Sequence, residues 1–435
     1  MNSSAGTASR VAAARVLAAW EGGEGYLSDL MERFPGAGKL SPRDRKLWYA
    51  TVQGAVRNLL PIDETIDLLC SGRPPARGSL VRQVLRISLA HLFYFDRVPE
   101  YAVLHQAAET LRRLGRSRWT GFVNAVLRRA LREKSSLPPG ASGDGPEAWS
   151  RRYSIPLWMI ERWLGFRGPD WAEAVCRGSA RIPAVFARTN RLRAEPDVLR
   201  EALEKEGADP RPVAGRPGFF RLAPGFSPAS SPALAAGLFQ VQDPSTVAAV
   251  GLLAPVPGET FADLCSAPGG KLGAAVELMG DRGVVIAADS AAPRLDTLRE
   301  NISRLGITSA RVLEYDLLGA ETFPGSPCDG ILLDVPCSNT GVLARRLDVR
   351  WRLRPEDIPR LAARGAAMLE RAASLLKPGG RLVYSTCSLE HEENRGAVEA
   401  FLASRPEWSA VAVEEGIPDA DGDGYFAARL ERRGG

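Results

Sequence analysis

The chain has 435 residues, 45% hydrophobic and 25% charged, which allows two or three domains and excludes a disordered or collagen-like protein. Six cysteines in that length are too sparse for a disulfide scaffold and fit free thiols in a reducing compartment. The net charge of +5 is uneven: residues 1–135 carry 21 Lys/Arg against 12 Asp/Glu, the remainder 35 against 39, so a polyanion-binding module on a near-neutral body is expected.

The first twenty residues, interrupted by Arg10 and Arg15, lack the apolar core of a signal peptide. No run of about 18 apolar residues suggests a membrane span, and a cytoplasmic location is expected. Residues 8–134 read as helices. Val11, Ala14, Val16, Leu17 and Trp20 fall near one face, and Ser41-Pro42 supplies an N-cap and a first-turn proline. Helical spacing continues through Ile62–Leu69, Leu80–Phe95, Tyr101–Leu114 and Trp119–Leu131, which predicts a bundle over residues 1–135. Ser135–Gly145 (SSLPPGASGDG) has linker composition, and 136–149 is taken as the linker. Residues 150–237 are mixed, with a strand expected in Ile182–Asn190 and a helix in Glu195–Glu206. From 238 to 435 strands and helices alternate. Strands are expected at Thr260–Leu264, Gly283–Asp289, Ala310–Glu314, Gly330–Asp334 and Arg381–Ser385. Helices are expected at Leu272–Met279, Ala292–Leu305 and Pro355–Leu376, giving a Rossmann-like, doubly wound parallel sheet.

Three features sit at expected carboxyl ends of strands, where such sheets bind ligands. Cys265-Ser-Ala-Pro-Gly-Gly-Lys271 is a glycine-rich turn between strand and helix, but neither GxGxxG nor a P-loop. Asp289 follows Gly269 by 20 residues, the spacing of an acid that binds ribose hydroxyls. Asp316 and Asp334 end the next two strands. Cys337 and Cys387, each followed by Ser, end two strands without CxxC or CxxxC spacing, so thiol chemistry is favoured over zinc. Cys70, Cys176 and Cys328 lie in no motif and read as buried hydrophobes. His391 lies four residues past Cys387, but a catalytic histidine is not favoured.

Together QVQDPST (240–246), CSAPGGK (265–271), DVPCSNTGV (334–342) and STCSLEHEEN (385–394) closely resemble the S-adenosylmethionine-dependent RNA cytosine-5 methyltransferases of the Sun/Nol1/Nop2 family. VQGAVRN (52–58), residues 85–107 and GFVNAVLRRA (121–130) resemble the NusB-like helical domain carried by one branch of that family. The resemblance implies an enzyme that methylates C5 of a looped or flipped cytosine in small-subunit (16S) ribosomal RNA, with no metal, as a monomer. It implies that Cys265, Ser266, Ala267, Pro268, Gly269, Gly270, Lys271 and Arg294 hold the cofactor. Asp289 would bind its ribose and Asp316 its adenine edge. Asp334 would lie close to cofactor and base. Cys387 is implied as the nucleophile and Cys337 as the thiol that assists product release. Arg112, Arg113, Arg116, Arg118, Arg128 and Arg129 would contact phosphates. Residues 150–237 would be a small α/β RNA-binding subdomain. The family commonly carries Pro where Leu347 stands, in a loop expected to face RNA. The alternatives are a transfer RNA cytosine-5 methyltransferase and a noncatalytic RNA-binding assembly factor. A DNA-type enzyme, with the Pro-Cys thiol as nucleophile, is disfavoured.

Overall fold

The computed structural model describes residues 6–137, 143–320, 322–325 and 327–432. Residues 138–142 of the expected linker lie outside the described residues. The chain divides into two compact units, Met1–Ala180 with Arg350–Arg352, and Arg181–Val349 with Leu353–Gly435.

The first unit is helical. Thr7–Glu21, Pro42–Arg57, Leu59–Leu69, Leu80–Tyr94, Glu100–Arg113 and Thr120–Arg132 carry the bundle. Ser41 caps its helix as expected, its Oγ accepting from the Asp44 N–H at 3.1 Å. Leu17, Val52, Val56, Ile66, Leu85, Leu111 and Leu127 form the buried core. The helices Pro146–Tyr153, Leu157–Arg167 and Pro169–Ala180 group with this unit, so the division falls at 180 rather than at the expected 149. The ties are visible: the Leu60 N–H donates to Ser154 Oγ at 3.1 Å, and Arg151 pairs with Glu64 at 3.1 Å.

Charge counting overstated the basic surface of this unit. Arg10, Arg57, Arg82 and Arg86 are buried. Arg86 alone spans Asp63 at 2.7 Å and Glu21 at 2.6 Å. Arg116, Arg118 and Arg128 are exposed.

The second unit holds two sheets. The smaller contains β1 (Phe186–Thr189), β2 (Arg211–Pro212), β3 (Phe219–Arg221) and β4 (Phe239–Val241), antiparallel in the order β2-β3-β1-β4. The larger contains β5 (Thr260–Asp263), β6 (Val284–Asp289), β7 (Ala310–Glu314), β8 (Cys328–Asp334), β9 (Leu376–Thr386), β10 (Trp408–Gly416) and β11 (Tyr425–Arg432). Its order is β10-β11-β9-β8-β5-β6-β7. The strands β5 to β9 are parallel, as expected, but β11 runs antiparallel between β9 and β10. The expected doubly wound parallel sheet is present in β5 to β9, and β10 and β11 are added to it as two strands that the sequence pattern did not mark. No helix separates β10 from β11, and without a crossover two neighbouring strands can only pair antiparallel.

Alternating residues face two helical layers. Ala262, Ile331, Leu333 and Leu382 pack with Met368, Leu369 and Phe401 on one side. Phe261, Leu332 and Val383 pack with Leu272, Val276, Leu295 and Leu298 on the other. The strand order reverses between β5 and β8, so the carboxyl ends of β5, β6, β8 and β9 converge at the switch point.

Candidate active site

The CSAPGGK segment turns directly from β5 into the helix Gly270–Met279. The Leu264 N–H donates to the Leu332 carbonyl and the Ser266 N–H to the Ala288 carbonyl, so both neighbouring strands hold the turn. Gly269 has φ +99°, and a Cβ there would stand 2.8 Å from Leu298 Cδ1. Glycine is thus required by the backbone, and a Cβ would also displace the flexible tip of Leu298. The helix N–H groups beyond it suit a negatively charged ligand group.

Asp289 is buried at the end of β6. It accepts from the Ala267 N–H at 3.2 Å and the Ala291 N–H at 3.1 Å. Arg294 donates to the Ala267 carbonyl at 2.6 Å and lies 3.5 Å from Asp289. The structure therefore brings Asp289, Arg294 and the glycine-rich turn together. Asp316 stands one residue beyond Tyr315, whose N–H donates to the Asp289 carbonyl at 3.1 Å. It is exposed past β7, where it accepts the Leu318 N–H at 3.1 Å in a local turn.

Asp334 ends β8 with both oxygens engaged, by Lys271 Nζ at 2.7 Å and Ser385 Oγ at 2.7 Å. Burial is the largest single influence and works against the Lys271 ammonium, but the charge and hydrogen bond of Asp334, together with the nearby Cys387 and Asp263, hold Lys271 above its ordinary value. One strand away, Asp263 is fully enclosed and its Oδ1 has no hydrogen-bond partner. Burial, reinforced by Asp334, pushes the Asp263 carboxyl up to about 7. A carboxyl that holds its proton more tightly when folded loses stability as pH rises from its ordinary value towards 7. Asp263→Asn removes that cost. It should stabilise the protein by about 2–4 kcal/mol more at pH 8 than at pH 5, read by thermal unfolding at the two pH values. An equal effect at both would disprove the shift.

The two strand-end thiols meet. Cys337 Sγ lies 3.5 Å from Cys387 Sγ, across 50 residues of sequence. Cys387 donates to Asn339 Oδ1 at 3.2 Å, and Asn339 Nδ2 donates to the Cys337 carbonyl at 2.7 Å. Asn339 adopts a left-handed backbone, φ 61°, to do so. The contact with Cys387, then burial, pushes the Cys337 thiol well above its ordinary value, and the charge of Glu393 adds to this. The loops run back to back: the Gly341 N–H donates to the Cys387 carbonyl at 2.9 Å. A Cβ at Gly341 would lie 2.5 Å from the Gly424 carbonyl oxygen and 2.8 Å from that of Cys387.

Cys265 is half-buried and packs against the core, and burial pushes its thiol up. Cys70, Cys176 and Cys328 are buried, as expected of structural thiols. Burial drives Cys176 to about 12 and Cys328 to about 11. In the loop where the family commonly carries Pro, Leu347 is buried, while Arg346 is exposed. Arg345 bridges the buried Asp243 and Asp423, each at 2.6 Å. Sequence reasoning missed Asn339, Ser385, Asp263 and Glu393. For Glu393 a signal was present, since each cysteine is followed by a serine, Ser338 and Ser388, and those serines converge on it.

A sheet that reverses at a glycine-rich turn, with an acid after the second strand, is the arrangement of a Rossmann-like methyltransferase. The family model described as 16S rRNA methyltransferase RsmB/F matches residues 250–430, and the NusB family model matches residues 7–132. The ribosomal RNA small subunit methyltransferase B of Cronobacter sakazakii is 31% identical, over 91% of this chain and 92% of its own. The Bacillus subtilis protein named "Probable ribosomal RNA small subunit methyltransferase B" is 29% identical over 98% of this chain and 99% of its own. The crystal structure of PH0851 superposes with TM-score 0.80 at 25% identity, over 98% of this chain and 99% of that one. The chain belongs to the RsmB/F family of ribosomal RNA methyltransferases, with a NusB-family domain at its N-terminal side.

Proposed function

We propose that this protein methylates C5 of a cytosine in small-subunit (16S) ribosomal RNA, using S-adenosylmethionine and a covalent bond between Cys387 and C6 of the base. The observation that supports it most is the thiol pair at 3.5 Å, on strand ends next to the Asp334–Lys271 ion pair. Bound S-adenosylmethionine supplies an electrophilic methyl group on a sulfonium. The glycine-rich turn, Asp289 and Arg294 are suited to hold it, and Asp316 is the proposed partner of its adenine edge.

The protein groups then divide the labour. The Cys387 thiolate adds to C6, which breaks the aromatic ring and makes C5 nucleophilic. Negative charge moves towards N3 and the exocyclic amine, where Asp334 can supply a hydrogen bond once protonated. After transfer, the C5 proton must leave so that the C6–S bond can break and the Cys387 thiolate depart. Cys337 is the neighbour that assists this release: in its thiolate form it accepts the C5 proton, and its raised affinity for a proton in this site suits it to do so.

Such chemistry requires the base outside its stack, so a looped or flipped cytosine is the substrate. The helical residues 1–135 and residues 150–237 are assigned to RNA, and residues 238–435 to cofactor and chemistry. Arg116, Arg118 and Arg128 are exposed for phosphates. Arg112 and Arg113 pair with Glu109, and Arg129 with Glu133, on the helix surface. Phosphate can replace such weak surface pairs. A cytoplasmic location goes with this substrate.

The test is transfer of labelled methyl from S-adenosylmethionine to isolated 16S RNA and to transfer RNA, with the product base mapped. Label at cytosine C5 of 16S RNA is expected. Label confined to transfer RNA, or at another atom, would overturn the reading. Asp289→Ala should weaken cofactor binding by roughly 1.5–3 kcal/mol, measured by calorimetric titration. Unchanged affinity would remove the ribose assignment.

A further inference from the structure

We propose that Glu393 is the positioning residue that sets the spacing of the two thiols. This rests on the reading of Cys337 and Cys387 as the working thiols. Glu393 is buried, 1% exposed, on the one-turn helix His391–Glu393. Its carboxylate is bonded to the residue that follows each thiol. The Ser338 N–H donates to it at 2.8 Å and Ser338 Oγ at 2.5 Å. Ser388 Oγ donates to the same oxygen as Ser338 Oγ. The two serines are themselves 3.0 Å apart. One carboxylate thus ties together two loops that are 50 residues apart in sequence.

The anchor is itself fixed to β9. Tyr384 Oη donates to the Glu393 carbonyl at 2.6 Å. The neighbouring Asn394 accepts from Thr386 Oγ1 at 2.5 Å and donates to the Ser388 carbonyl at 2.9 Å. Joining two loops does not call for a carboxylate, because apolar contacts would do it without the cost of burying a charge. A carboxylate serves where three donors must be gathered at one point and held there. The chemistry explains why: C5 and C6 are adjacent atoms, so thiols acting on both must themselves be adjacent.

Spacing can be read without the reaction. Phenylarsine oxide joins paired thiols: arsenic forms a bond to each sulfur, and its oxygen leaves as water with the two thiol protons. Full-length protein is treated with it and washed with a monothiol, and retained arsenical is measured by intact mass. Wild type should retain one arsenical and Cys337→Ala none. Glu393→Ala should lose retention and kcat by at least about tenfold, with cofactor affinity within about twofold. Glu393→Gln keeps an acceptor for the Ser338 N–H and should recover most of both. Ser388→Ala cuts the Cys387 side alone, and it decides the matter if Glu393→Ala fails to fold. Retention at the wild-type level in Glu393→Ala or Ser388→Ala overturns the proposal. So does a Glu393→Gln protein as damaged as Glu393→Ala. If retention follows the prediction but wild type methylates no RNA, the positioning role stands and the proposed function falls.

Discussion

Cys387→Ala should form no protein–RNA adduct on a denaturing gel with cofactor and substrate RNA, whereas Cys337→Ala should accumulate one. The opposite outcomes follow from adjacent sulfurs with different duties. Removing the nucleophile removes the only covalent step, so no shifted band can appear. Removing the assisting thiol leaves attack and transfer intact but slows breakage of the C6–S bond, so the adduct persists. Both variants should fold. Cys387 is half-buried at a strand end, and deleting one sulfur there costs far less than hollowing the core. A band in Cys387→Ala with none in Cys337→Ala would exchange the roles and indicate the DNA-type arrangement. No band in either would place Cys337 before methyl transfer.

Asp334→Asn should lower kcat by about 10²–10⁴-fold, the range of a lost acid–base group. The structure makes this substitution severe. Lys271 and Ser385 each donate to one Asp334 oxygen, and an amide replaces one of those acceptors with a donor. Lys271→Met should also lose activity. Because the two residues form one ion pair, the double variant should be little worse than Asp334→Asn alone. Single-turnover methyl transfer on all three proteins tests this, and additive losses would mean that Lys271 acts apart from Asp334.

What the sequence displayed and what it concealed differ in physical kind. The helix Ala292–Leu305 was legible because its apolar spacing and the Gly after it are local signals. The strand-end placement of Asp289, Asp334 and Cys387 was legible because strand, turn and helix follow each other directly in the chain. Partnerships were not. Arg86 reads as surface charge until Asp63 and Glu21 are seen around it. Glu393 reads as one more acid in SLEHEEN until residues 338 and 388 are brought to it. The strand β10 was missed because WSAVAVEEG mixes small, charged and apolar residues on a largely exposed edge strand, where burial writes little into the sequence.

The insertion of β11 between β9 and β10 also has a consequence in time. A ribosome delivers the chain from its N-terminal side, and β9, which leads into Cys387, emerges well before residues 425–432. Until those residues arrive, β9 has an open edge, and the Phe426↔Thr386 pairing next to Cys387 cannot form. Gly424, which donates to the Gly341 carbonyl and so braces the loop carrying the other thiol, arrives only then as well. Cys387 and Cys337 are therefore locked in place only after residues 424–432 have emerged, later than the helices of residues 7–132.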